Sequence, residues 1–345
     1  PPRPQADDMP TADEASLQAL PPARRFSVAR LAAYALGLGL LIAAVIAVSG
    51  RTDALRQAVE SARNSSPWLV LAVIVLPLAN IAVISTSFWV LTSRFGRVAL
   101  PEMIALIVSS WLLNHLPLRP GLVGRVGYHK LVNNIPVRSS VRVVIEQLLC
   151  GIAALGLMLL VAVLCAPLGA PVVITLLLVA GAAVTASGFA LRHLALTASR
   201  SPASACITTA FGLRLLDMTL WIIRYLCLFA LVGHDVGISG AAAITAASQA
   251  AMLSPIPLGL REWVVGAVHA WLGAEWISGS GGAIATFTPG IAADLANRAA
   301  ELLVAVPLGI LATLWLMRIA RATRAARIAQ AGAFAPTHPV PPSSV

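Results

Sequence analysis

Asp294, Arg298 and Glu301 stand four and then three positions apart. On an α-helix that spacing keeps them within about 60° of one face, where alternating signs can pair along a stripe. Such a stripe either ties helices together or forms the polar wall of a cavity. Arg214 and Asp217 repeat the pattern at i, i+3, and Arg224 falls on nearly the same side with no acid left on its own helix. A guanidinium forks onto a carboxylate or a phosphate with paired hydrogen bonds, so Arg224 is expected to meet one or the other from outside its helix. Arg261 and Glu262 follow directly on Pro255, Pro257 and Gly259, while Asn114, Arg119 and Arg125 surround Pro117 and Gly121. Proline removes a backbone donor and glycine permits unusual dihedrals, so both loops leave backbone polar groups open. Glu146, four residues after Arg142, suits a helical ion pair as readily as a cavity charge.

These groups can hold and orient charge, but none is arranged to break a bond. The histidines are scattered, with His115 at one loop tip and no HExxH spacing. There is neither a GxxxxGK[ST] phosphate loop nor a Ser/His/Asp elbow. Cys150, Cys165, Cys206 and Cys227 all lie in apolar runs without CxxC spacing, which points to plain packing. The expectation is a protein that is not an enzyme and needs no cofactor and no metal.

The elements that position these residues follow from composition. Hydrophobic residues make up 58% of the chain and charged residues 11%, and mean hydropathy is +0.85. Soluble domains carry about 25% charged residues, so water is not the main solvent here. Full-length apolar spans are read at Leu31 to Ser49, Pro67 to Leu91, Val143 to Ala166, Val172 to Leu191, Ala205 to Val232 and Ala292 to Met317. The 24 Lys and Arg outnumber the 14 Asp and Glu, but they cluster at the ends of these runs, which argues for topology signals and lipid contacts rather than nucleic acid.

Two apolar stretches, Pro101 to Leu118 and Ile238 to Leu258, are short, rich in small or polar residues and end in a Pro/Gly knot. The positive-inside rule puts Arg94 and Arg97 on the same side as Arg119, Arg125, Lys130, Arg138 and Arg142, so the first stretch must enter and leave on the cytoplasmic face. The same reasoning returns the second to the outer face. The fold expected is all-α, a polytopic transmembrane bundle of about six full crossings plus two re-entrant hairpins. Pro117 and Gly121 match Pro255 and Gly259 in spacing, and each hairpin precedes a span that opens near a glutamate, Glu146 or Glu301. An inverted repeat follows, with one unit at about 67–166 and the other at about 205–317. They lie in a membrane domain of residues 28–320, between a disordered tail at 1–27 and a basic, then disordered, tail at 321–345; both termini are expected in the cytoplasm.

Residues Asn114 to Arg125, Glu146, Ser254 to Glu262, and Arg298 with Pro307 and Gly309 resemble the signatures of the lysylphosphatidylglycerol synthetase transmembrane-region family, the flippase-like integral membrane proteins. The likeness covers roughly Ala29 to Arg318. It departs from the family pattern at Leu122 and Gln147, where the family has Glu and Arg, and the second loop lacks one glycine. The aminoacyl-transferase part of fused members has no counterpart in these residues, so the resemblance implies a stand-alone lipid handler of the inner membrane. Its expected partners are membrane lipids, phospholipid or isoprenoid, bound through Asn114, Arg119, Arg125, Arg261, Glu262 and Arg298. Glu146, Arg214, Asp217, Arg224, Asp294 and Glu301 are the expected cavity or coupling charges. The alternative is a non-transporting accessory protein that serves a lipid-modifying enzyme or a glycosyltransferase.

Overall fold

A bilayer offers no partner to backbone N–H and C=O groups, so an apolar chain must satisfy them along its own helices. The computed structural model describes residues 63–115, 120–194, 202–254, 259–276 and 283–333, with shorter pieces between residues 35 and 61; within them the regular elements are helical. In chain order they are α1 (Pro67–Thr92), α2 (Leu100–Asn114), α3 (Pro120–Leu131), α4 (Val137–Leu164), α5 (Ala170–Leu194), α6 (Ala203–Leu231), α7 (Ile238–Ala251), α8 (Leu260–Trp276) and α9 (Ala283–Ala333). Five helices are long and apolar enough to cross a membrane: α1, α4, α5, α6 and residues Phe287–Arg327 of α9. The sixth expected crossing, Leu31 to Ser49, falls largely outside the described residues, and Pro117, Arg119, Pro255, Pro257, the expected N-terminal tail and residues 334–345 fall wholly outside them. The basic part of the C-terminal tail instead continues α9 as far as Ala333.

Prolines mark several starts. Pro67 and Pro120 open α1 and α3 and Pro101 sits in the first turn of α2, where a missing N–H costs nothing. Pro77 within α1 and Pro307 within α9 each withdraw a helical hydrogen bond.

Neither short stretch turns back within itself as expected: each is one helix, α2 or α7, the first arm of an antiparallel helical hairpin whose second arm is α3 or α8. At the tip of the first, Ser110 Oγ donates to the Gly121 carbonyl at 3.0 Å. At its open end, Asn133 Nδ2 donates to Glu102 Oε1 at 3.0 Å, so α3 returns alongside α2. Glycine is required at the crossing, because a Cβ on Gly121 would lie 2.3 Å from the Ser110 carbonyl oxygen. In the second hairpin the start of α8 meets the end of α7, with Arg261 Nη1 4.0 Å from Met252 Sδ, while Leu272 near the end of α8 lies against Gly240 near the start of α7. The second arm, Leu260–Trp276, lies beyond the apolar stretch of Ile238 to Leu258 that marks the hairpin in the sequence. Both hairpins pack along α9. Gly290 abuts His269 and Gly266 of α8, Gly309 abuts Leu112 of α2, and Ser109 and Thr313 share a 2.7 Å hydrogen bond. Further on, Arg327 Nη2 donates to Asn134 Oδ1 at 2.7 Å. Along α9, then, α8 occupies the first half and α2 the second, tip toward tip.

At the centre is α6, with 56% of its apolar window buried against 22% for its neighbour α5. Small residues bring the two together: a Cβ on Gly212 would meet the Thr185 nitrogen at 2.5 Å, and one on Gly188 the Thr209 nitrogen at the same distance. One end of the bundle is basic. There Arg94 and Arg142 pair with Glu146, and Arg192 reaches Ser93 at 3.1 Å. The outward faces of α4, α5 and α9 present exposed leucine, isoleucine and valine, as helices solvated by hydrocarbon do.

Candidate functional site

Glu301 lies where the hairpin tips meet. Arg261 Nη1, at the start of α8, donates to both of its oxygens at 3.1 and 3.2 Å, and Arg261 Nε donates to Asp294 Oδ2 at 2.9 Å. Arg224 Nη1 approaches Glu301 Oε1 at 3.3 Å from α6, and Arg224 Nη2 donates to the Asn297 carbonyl at 3.3 Å. From the first hairpin His115 Nε2 lies 3.9 Å from Glu301 Oε2, its other ring nitrogen being held 2.9 Å from the Trp111 carbonyl. Asp294 Oδ1 accepts from Tyr225 Oη at 2.9 Å and from Asn297 Nδ2 at 3.1 Å. One turn away, Arg298 Nε donates to Glu262 Oε1 at 2.9 Å. Arg261, Glu262 and Asp294 are wholly inaccessible. Charges stripped of water to this degree persist only when paired, and each partner here is paired by more than one group or by a short, direct bond.

Beside this network a cavity of about 330 Å³ opens between α1, the tip of the first hairpin, α4, α6 and the end of α7. Its polar wall carries Asn80, Asn114, Arg125, Gln147, Arg214 and Asp217, with Arg224 and Glu301 at the back. Asn80 Nδ2 donates to Asp217 Oδ1 at 2.8 Å, Arg214 pairs with Asp217, and Ser87 Oγ donates to Gln147 Oε1 at 2.8 Å. Its apolar wall includes Phe88, Trp111 and Trp221. At the mouth stand Leu122 of α3 and Leu148 of α4, 38% and 43% exposed on the outer face. Through these two leucines the cavity reaches the apolar outer surface of the bundle.

Arg125 differs from the other arginines in this interior. It is 8% exposed, its guanidinium lies 3.9 Å from the centroid of the Phe88 ring, and it makes no hydrogen bond or ion pair with the described residues. Arg214 has Asp217, Arg224 and Arg261 share Glu301, with Arg261 also bonded to Asp294, and Arg298 has Glu262. The two hairpin breaks add no compensating charge, since residues 116–119 and 255–258 contain no Asp or Glu.

The residues expected to bind a headgroup divide accordingly. Asn114 and Arg125 line the cavity; Arg261, Glu262 and Arg298 lie behind it in closed ion pairs; Gly121 and Gly259 serve the hairpin backbone, Gly259 at a φ of 80°. Of the expected cavity charges, Arg214, Asp217, Arg224 and Glu301 reach the wall, whereas Asp294 sits in the network and Glu146 at the basic end with Arg94 and Arg142. Sequence reasoning missed Asn80, Gln147 and Tyr225. A neutral amide or phenol in an apolar span carries no charge pattern, although the need to satisfy a buried polar group flags each one. Comparison with protein-family models, with curated proteins and with solved structures gave no match.

Proposed function

We propose that this chain is a lipid flippase or flippase-like carrier of the inner membrane, which admits the polar headgroup of a phospho- or isoprenoid lipid to the cavity while the hydrocarbon stays in the bilayer. The observation that carries this reading is Arg125, a buried guanidinium on the cavity wall with no acid partner among the described residues. Arg125, Arg214, Arg224, Arg261 and Arg298 face Asp217, Glu262, Asp294 and Glu301, which leaves one positive charge over. In a membrane, the anion available to a sideways-opening site is a lipid phosphate, which a guanidinium binds with charge-assisted hydrogen bonds.

The helix arrangement supports the transporter side of the reading. Two hairpins that meet tip to tip along α9 fit re-entrant loops from opposite leaflets, and α1 against α6 fits the axis of an inverted repeat over 67–166 and 205–317. The basic end, with Arg94, Arg142 and Arg192, is then the cytoplasmic face. The resemblance of the hairpin residues to the lysylphosphatidylglycerol synthetase transmembrane-region family agrees with this.

The test is reconstitution of the full chain into vesicles with a fluorescent phospholipid and a quencher confined to one leaflet. Faster transbilayer exchange with the wild type than with Arg125→Gln is expected. No acceleration across anionic, aminoacylated and isoprenoid lipids contradicts transport, and leaves the accessory role as the reading to pursue.

A further inference from the structure

A second, smaller cavity of about 100 Å³ adjoins the first, sharing Leu148, Arg214 and Gln249 with it. From there it runs along α4 past Gly151 and Ile152 to Leu155, and is bounded on the far side by Ala250 of α7, Leu253 in the turn after it and Met218 of α6. Its lining is almost entirely apolar, and Leu148, Ile152 and Leu253 are 43%, 53% and 58% exposed, so the groove is open to hydrocarbon along its length. Its course is directional. Arg142 and Glu146 lie at the basic end of α4, Gln147 and Leu148 at the headgroup cavity, and Leu155 about 20 Å beyond Arg142, just past the midpoint of the helix.

We infer that this groove between α4 and α7 is an acyl-chain subsite, which holds one hydrocarbon chain of the lipid whose headgroup lies at Arg125. This rests on the headgroup reading above. Three features select that occupant over another helix or a second copy of the chain. The groove is continuous with a polar cavity that carries an uncompensated cation, so a single ligand must be anionic at one end and apolar at the other. Its volume of about 100 Å³ suits part of a chain rather than a helix, and the two helices that bound it, α4 and α7, already pack against each other. Its run also matches a phospholipid in the leaflet at the basic end, with its headgroup near Arg125 and its chain pointing toward the bilayer centre. The lipid therefore enters sideways between α3, α4 and α7 instead of from the aqueous face.

Native mass spectrometry of the full chain in detergent tests this with two probes, dioleoylphosphatidylglycerol and the chainless glycerophosphoglycerol. Ala250→Trp fills the groove from an exposed position outside the headgroup cavity, and Val163→Trp puts the same bulk on a lipid-facing position of α4 away from the groove. Displacing a few methylenes from the groove is expected to weaken dioleoylphosphatidylglycerol about tenfold or more in Ala250→Trp. Val163→Trp should bind it as the wild type does, and glycerophosphoglycerol should bind all three alike. Unchanged dioleoylphosphatidylglycerol binding in Ala250→Trp overturns the subsite, as does an equal loss of both probes. Should neither probe bind saturably to the wild type, with no effect of Arg125→Gln, it is the headgroup reading that fails.

Discussion

Arg261 and Arg125 are both buried arginines, but they have opposite energetic roles. Arg261 bridges Asp294 and Glu301 with no exposure at all, so Arg261→Gln strands two carboxylates and is expected to cost about 3–5 kcal/mol in unfolding experiments in detergent. An unchanged midpoint would show that the network is not what ties α8 to α9. For Glu262 and Arg298 the singles Glu262→Met and Arg298→Met should each destabilise more than the double variant, because the pair removed together leaves no lone charge. Arg125 strands no acid among the described residues. Arg125→Gln is expected to leave stability unchanged or raise it while lowering lipid exchange, and a large loss of stability would mean that it serves the fold. At this scale the sequence made Arg224 legible, since a third charge on one helical face without a local acid had to look elsewhere. It did not separate Arg261 from Arg125. Both follow a Pro/Gly loop, and only the packing of α8 against α9 shows which one has acids within reach.

The hairpins were visible as short, broken apolar stretches with matching proline and glycine. Their return arms, α3 and α8, were not. These arms carry Arg125, His129 and Lys130, or Arg261 and Glu262, and the charges lower the hydropathy that marks a buried helix. What lets them fold back is close backbone approach at the tip. Gly121→Val is expected to push α3 off Ser110 at a cost of at least about 1–3 kcal/mol, read as a lower melting temperature, with loss of the cavity's lipid binding. Wild-type stability in that variant would contradict the hairpin contact. Gly212→Leu makes the parallel test of the α5 and α6 packing, where the Thr185 backbone nitrogen leaves no room for a side chain. Five of the six expected spans coincide with helices, three of them to within a few residues, whereas α4 starts early and α9 both starts early and runs on to Ala333. Arg138, Arg142 and two serines before Val143, and Pro289 with Gly290 before Ala292, hid about two helical turns in each case that the backbone nevertheless completes.

Taken as one molecule, the bundle places its strongest electrostatic feature at its least hydrated point. Two helical hairpins bring their tips to a glutamate on α9, a set of ion pairs fixes that junction, and the cavity beside it holds one guanidinium without an acid partner among the described residues and reaches the apolar outer surface. Ion pairs hold the junction, and Arg125, without an acid partner among the described residues, is the cation available to the proposed ligand. A density map of the full chain in nanodiscs of phosphatidylglycerol tests this most directly. The account predicts headgroup density within hydrogen-bond distance of Arg125, with a chain continuing between α4 and α7. A map in which the cavity is filled by side chains, or in which Arg125 turns to a carboxylate of the protein, contradicts it.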